Sequence, residues 1–247
     1  MTIAILADLH ANREAFEACR EHARARGATQ FVFLGDFVGY GADPVWVLDE
    51  VRAMVAQGAI AVRGNHDEAA AGSDDISLND DARTCIEWTR TRLRPGHVGF
   101  LRELPLAVED EPRLYVHANG WDPGGYEYIF GPEQAARNLD VVRARVTFCG
   151  HMHVPVLFHM GLTRRVEVFD PVPGTPIPLS SARRWVALPG SVGQPRDGDP
   201  AACYATFDEY ANLLTFWRVP YDHESAARKI LAAGLPSRYA RQLVDGA

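Results

Sequence analysis

The chain has no apolar run near the ~18 residues needed to span a bilayer, and it has no repeat, low-complexity tract or linker. It begins directly on a strand-like segment, without the charged and apolar regions of a signal peptide, so the expectation is a cytoplasmic protein. Cysteine is scarce. Cys19, Cys85, Cys149 and Cys203 are scattered and form no CxxC pair, which argues against a structural zinc finger and for reduced, buried thiols. Basic residues are the minority: a formal net charge of −7 argues against broad, sequence-independent nucleic-acid binding, though not against a local basic pocket for a phosphate. The 247 residues have ordinary globular composition and, with no linker, are expected to form one domain over 1–247.

What the chain does have is a recurring kind of ending. The apolar run 59–62 suits a strand buried on both faces of a parallel sheet, and it stops in Gly64-Asn65-His66-Asp67. Alone, Asn-His-Asp after a glycine is an ordinary turn. But residues 2–7 end in Asp8-Leu9-His10, residues 30–34 in Gly35-Asp36, residues 114–116 in His117, and residues 145–149 in Gly150-His151-Met152-His153. Open α/β sheets keep their ligands at the carboxyl ends of strands, and carboxylate, imidazole and amide oxygen are transition-metal donors. Five such endings, taken as the same edge of one sheet, predict loops that meet at a metal site.

Between the endings, Asn12 is placed to cap a helix running through Phe16 and Cys19 to about Arg26, closed by Gly27. Asp43 and Pro44 open a second helix as cap and first position, with Val47, Leu48, Val51 and Val55 on its apolar face and Gly58 at its end. This βαβαβ opening implies a parallel sheet with right-handed crossovers. From residue 68 to about 104 the strand pattern lapses: Asn79 or Ser77 caps a helix carrying Ala82, Cys85, Ile86, Trp88 and Thr89, and a short helix follows near 98–101. This stretch reads as a helical, lid-like insertion, or as helices whose Ile86 and Trp88 simply face the core. The second half reads as a hairpin around Glu111-Pro112, a loop over 119–131 and a helix from Pro132. Strands near 154–160, 165–169, 185–188, 202–208 and 213–219 follow, and two amphipathic helices close the chain. The expected fold is α/β, two packed mixed β-sheets flanked by helices.

Asp8, His10, Asp36, Asn65, His117, His151 and His153 are too many donors for one tetrahedral ion, but they suit two ions that share a carboxylate. Such a pair, ~3.5–4 Å apart, makes a bridging water acidic near neutral pH and neutralises phosphoryl oxygens. His66 is the imidazole left without a ligand role, placed beside Asn65 to protonate a leaving oxygen.

The motifs DxH, GD, GNH[DE], H and GHxH, all present in order, resemble those of the calcineurin-like metallophosphoesterase family. The resemblance implies a four-layer double β-sandwich. One metal would be held by Asp8, His10, Asp36 and His153, and the second by Asp36, Asn65, His117 and His151. Asp36 would bridge them and His66 would act as catalytic acid. The implied activity is hydrolysis of a phosphomonoester or phosphodiester of a small, nucleotide-like substrate by a metal-bridging hydroxide. The segments 35–44, 88–90 and 188–196 resemble a bacterial branch described as predicted phosphatases or phosphodiesterases. A non-catalytic scaffold on the same fold is the alternative, but it goes with lost ligand residues and here every motif position is filled.

Two departures stand out. Protein Ser/Thr phosphatases of the family carry Asp-Arg-Gly where this chain has Gly39-Tyr40-Gly41, so Asp67 is the expected substitute for orienting His66, and Ala118 replaces a commoner glycine. Two Mn²⁺, Fe or Zn²⁺ ions suit the mixed donors. Asn65, Arg63, Arg183 and above all Arg196 are candidate phosphate contacts. Trp46, Trp121 and Tyr40 are stacking candidates for a nucleobase, or packing residues. His22, His97, His159 and His223 read as surface or packing histidines.

Overall fold

The computed structural model describes residues 1–247. Its first half runs β1 (Thr2–Leu6), α1 (Arg13–Ala25), β2 (Gln30–Phe33), α2 (Pro44–Ala56), β3 (Ile60–Ala61), α3 (Asn65–Ala70), α4 (Asp80–Arg90), α5 (Pro95–Glu103), β4 (Ala107–Asp110) and β5 (Arg113–Val116). The second half is α6 (Pro132–Val141), β6 (Val146–Phe148), β7 (Pro155–Met160), β8 (Val166–Phe169), β9 (Ile177–Pro178), β10 (Arg184–Pro189), β11 (Ala202–Asp208), β12 (Leu213–Val219), α7 (His223–Ala232) and α8 (Ser237–Asp245).

The strands form two six-stranded mixed sheets, β3-β2-β1-β11-β12-β9 and β4-β5-β6-β10-β7-β8. The period of two along each strand assigns its faces. On β1, Ile3 and Ile5 turn to the inter-sheet core with Val32, Phe148, Trp185 and Phe216, while Ala4 and Leu6 turn outward to Phe16, Val47, Leu48 and Val51 of α1 and α2. On the far side, Ala135 and Leu139 of α6 cover Leu114, Val116 and Val186. Each sheet thus packs one face on the other sheet and the other face on helices, giving four layers.

β1, β2 and β3 are parallel, as the βαβαβ opening predicts. The five chemistry-bearing endings do not share one sheet, however. β1, β2 and β3 belong to the first and β5 and β6 to the second, so the loops meet across the mouth of the sandwich. Two elements escape the sequence pattern. α3 starts on Asn65 itself, and β9 is only two residues, too short to leave a period.

The two predicted caps differ. Asn12 Oδ1 accepts from Ala15 N at 3.1 Å, and its amide also donates to Gly193 O at 2.9 Å and Tyr221 Oη at 3.1 Å. Asp43 makes no capping bond, because its carboxylate is drawn 2.7 Å from Lys229 Nζ on α7. Asn12→Ala is therefore expected to cost about 1–2 kcal/mol, and Asp43→Ala less than about 1 kcal/mol. Urea titration of the two variants checks this, and the reverse order would refute the assignment.

Candidate metal centre

All seven predicted donors converge at one end of the sandwich and are 0–7% exposed. Five of them sit at positive φ, in a region that L-residues enter at a cost: Asp8 (55°), His10 (45°), Asp36 (54°), His151 (68°) and His153 (61°). A strand that simply continued would send alternate side chains to opposite faces. The left-handed residues after β1, β2 and β6 instead fold the side chains back across the sheet ends.

Backbone carbonyls fix the imidazole tautomers. His10 Nδ1 donates to Val38 O (3.1 Å), His117 Nδ1 to Leu34 O (2.7 Å) and His153 Nδ1 to Gln194 O (2.7 Å). A carbonyl only accepts, so Nδ1 carries the proton and each neutral ring aims an Nε2 lone pair inward. His151 turns Nδ1 inward, toward His117.

These inward atoms confront one another without a donor between them. His10 Nε2 lies 3.1 Å from His153 Nε2, and His117 Nε2 lies 3.1 Å from both His151 Nδ1 and Asn65 Oδ1. Asp8 Oδ1 is 3.5 Å from His153 Nε2. Asp36 Oδ2 stands between the groups, 3.6 Å from His10 Nε2 and 3.5 Å from His117 Nε2. Lone pairs held this close repel unless a cation lies between them, and the spacing suits neighbouring ligands of ions bound at ~2.1 Å. The imidazoles themselves do not supply a proton. Burial holds His10, His151 and His153 well below the usual histidine range and pushes His117 down to about 4. The same burial raises Asp8 well above the carboxylate range and Asp36 to about 8, a trend that bound cations would reverse. The residues present fit metal ions.

The rest of the predicted site divides. His66, 3% exposed, has a ring nitrogen within 4.8 Å of the His10 and Asp36 donors. Its backbone N–H holds Asp36 Oδ1 at 2.9 Å, and burial pushes its ring down to about 3. Asp67 makes no hydrogen bond to its ring. That carboxylate is taken by the backbone N–H groups of Phe37 (2.8 Å), Val38 (3.4 Å) and Gly64 (3.0 Å), the last closing the first turn of α3. His66 Nδ1 has no hydrogen-bond partner. It faces Gly39, at φ +89°, where a Cβ would collide with the ring, and Tyr40 packs against its side at 4.5 Å.

Of the expected arginines, Arg196 stands over the donors. Its charge acts on Asp8, Asp36 and His153, it donates to Tyr40 Oη (3.3 Å) and Gln194 Oε1 (3.1 Å), and its buried Nε lacks a partner. Arg63 is tied instead to Glu68 (3.3 Å) and the Arg102 carbonyl, and Arg183 lies exposed beside His159, before β10. Trp46 packs on Phe16 and Arg13, and Trp121 on Arg137, so neither presents a free face to the donors.

Two supporting stretches were not assigned a role from sequence. Residues 191–194 strap the end of β1: Ser191 Oγ donates to Asp8 O (2.8 Å), and Gln194 O orients His153. In the 119–131 loop, Tyr126 Oη donates to Glu68 Oε2 (2.7 Å) and Tyr128 stacks on His151 at 3.8 Å. The alternation Tyr126, Tyr128, Phe130 was a readable signal for the second.

The profile of the calcineurin-like phosphoesterase superfamily domain matches residues 1–211. The chain is 35% identical to a metallophosphoesterase of Sphaerobacter thermophilus of known crystal structure, with a TM-score of 0.89 over 100% of this chain and 99% of that one. It is 32% identical over 257 residues to an uncharacterized protein of Methanocaldococcus jannaschii, spanning 99% of this chain and 98% of that protein. A shorter likeness, 34% over 102 residues, covers 36% of this chain and 32% of a symmetrical bis(5'-nucleosyl)-tetraphosphatase of Janthinobacterium.

Because ions that bind only the folded protein stabilise it, Mn²⁺ or Zn²⁺ is expected to raise the thermal unfolding midpoint, and a chelator to reverse the rise. His153→Ala should shrink the increment. A midpoint indifferent to every divalent transition ion would contradict the reading of the confronted lone pairs.

Proposed function

The chain belongs to the calcineurin-like phosphoesterase superfamily, and from that premise we propose that this metal-dependent phosphoesterase uses two divalent ions to hydrolyse a small, nucleotide-like phosphoester. The observation that carries the proposal is Asp36 Oδ2, placed almost equally from His10 and His117. One ion would be held by Asp8, His10, Asp36 and His153, and the other by Asp36, Asn65, His117 and His151. Such ions supply a polarised phosphoryl group and a water that ionises near neutral pH.

Charge supports two ions. Three buried carboxylates, Asp8, Asp36 and Asp67, face one guanidinium, Arg196. One divalent ion would only cancel that excess, whereas two leave a cationic site for a phosphoryl anion. Arg196 offers its unpartnered Nε–H to a non-bridging oxygen. Asp67 ties Gly64, Phe37 and Val38 together, which fixes His66 relative to Asp36. His66 donates a proton to the leaving oxygen. Burial keeps that ring neutral in the free protein, so its proton arrives with the substrate, whose anion raises the proton affinity of the imidazole beside it.

The chain acts as one domain in which α3 to α5 cap the site. The contact of Ala82 and Cys85 on α4 with Tyr40, which flanks His66, supports this role. The nucleosyl-tetraphosphatase likeness supports a nucleotide-like substrate. No helix is long and apolar enough to cross a membrane.

Three experiments test the reading. Hydrolysis of an aryl phosphate ester should vanish on chelation and return with Mn²⁺ or a similar ion. By elemental analysis Asp36→Ala should lose both ions and Asp8→Ala mainly one, so unchanged metal content in Asp36→Ala would remove the bridge. His66→Ala should keep its metals and lose ~10²–10⁴-fold on alkyl esters, but much less on nitrophenyl esters, whose leaving group departs unprotonated. A penalty flat across leaving-group pKa would make His66 a binding or supporting residue instead.

A further inference from the structure

Beyond the phosphoryl centre, the 119–131 loop carries a ladder of rings outward. Tyr128 lies on His151 at 3.8 Å with planes 20° apart, and Phe130 lies on Tyr128 at 4.9 Å and 25°. The ladder is firmly based: Tyr126 Oη is bonded to Glu68, Asn119 Nδ2 donates to Glu127 O at 2.8 Å, and Ile129 is buried between the two outward rings. At its end Phe130 is 67% exposed. Other exposed aromatics lie elsewhere: Tyr210 is in the β11–β12 turn, beside the start of β1, and Phe169 is on the edge strand β8. Phe130 is joined ring to ring with a metal-donor histidine.

We propose that Phe130, backed by Tyr128, is a stacking subsite for a flat aromatic base that the substrate carries on a sugar-length spacer. The inference rests on the phosphoesterase reading of the centre. An apolar ring left in water on an anchored loop gains by being covered, and stacking is the recognition that every base offers through its π face. The same ladder reaches the phosphate contact, since the Arg196 charge acts on the Tyr128 hydroxyl. One ligand can therefore lay its phosphoryl group under Arg196 and its ring on Phe130. One ring, Tyr128, and two stacking intervals of 3.8 and 4.9 Å separate Phe130 from His151, so an aryl group attached directly to the ester oxygen falls short and a pentose spans the gap. The indoles of Trp46 and Trp121, occupied by Arg13 and Arg137, do not compete for this role.

The probe is a non-hydrolysable one, the 5'-methylenephosphonate analogue of 2-aminopurine riboside monophosphate, whose fluorescence falls on stacking. Its binding to the metal-loaded full chain is compared with that of the same phosphonate lacking the base. The wild type should quench the probe and bind it about tenfold more tightly than the base-free phosphonate. Phe130→Ala should lose both the quenching and the preference while keeping its affinity for the base-free compound, and Phe130→Trp should retain both. A wild type that binds the two alike, or a preference that survives Phe130→Ala, overturns the subsite. Turnover of an aryl phosphate, measured separately, distinguishes the two proposals. Turnover without base preference refutes the subsite alone, and base preference with no turnover of any ester refutes the function and leaves the subsite standing.

Discussion

The structure depends on an arrangement that is unfavourable in isolation: lone pairs of His10, His117, His151, His153, Asn65 and Asp36 are held 3.1–3.6 Å apart in a place with almost no water. Unpaired buried acceptors cost free energy. Here that cost comes on top of the left-handed backbone at five of the seven donors. A fold tolerates such strain only where surrounding structure over-determines it. That surrounding structure is identifiable: three backbone carbonyls lock imidazole tautomers, three backbone N–H groups lock Asp67, and Ser191 straps Asp8.

Two sheets serve this purpose better than one. In a single open sheet, five successive strand ends would be spread over some four strand spacings of ~4.8 Å, too far for their side chains to meet. Packing β1–β3 face to face with β5 and β6 over the Ile3, Ile5, Val32 and Phe148 core folds that line into a mouth. The inter-sheet core therefore sets the distance between the Asp8–His10 loop and the His151–His153 loop. Loss of core packing would widen the metal site before it unfolded the chain.

This division explains what could be read from sequence. Donor identities were legible because each lies directly after an apolar run, and the period of two needs no tertiary information. The helix caps were legible for the same local reason, although Asp43 shows that a cap signal loses to an ion pair arriving from 186 residues away. The assignment of strands to two sheets was not legible, because periodicity does not say which strand pairs with which. Nor was the work of Asp67, whose partners Phe37 and Val38 are remote in the chain and are backbone groups. The alternation of Tyr126, Tyr128 and Phe130 was visible, but in a loop it did not say on which residue the rings would stack.

The replacement of Asp-Arg-Gly by Gly39-Tyr40-Gly41 changes more than one hydrogen bond. A carboxylate beside His66 would hold a proton on the ring whether or not substrate is bound. Here Gly39 brings bare backbone against Nδ1, and Tyr40 supplies an apolar side wall that continues onto Tyr239 at 4.4 Å. His66 is thus positioned by shape rather than by charge, and its proton affinity is left to whatever anion occupies the centre. On the proposed mechanism, such a site would give up a permanently charged acid and gain one that is charged when an ester is in place. It is also a site in which the ring can be displaced by small changes of its walls, because no strong hydrogen bond draws it back. Recognition at the far end of the substrate then has a direct bearing on the chemistry, since the better the ester is held, the more completely its anion charges the imidazole.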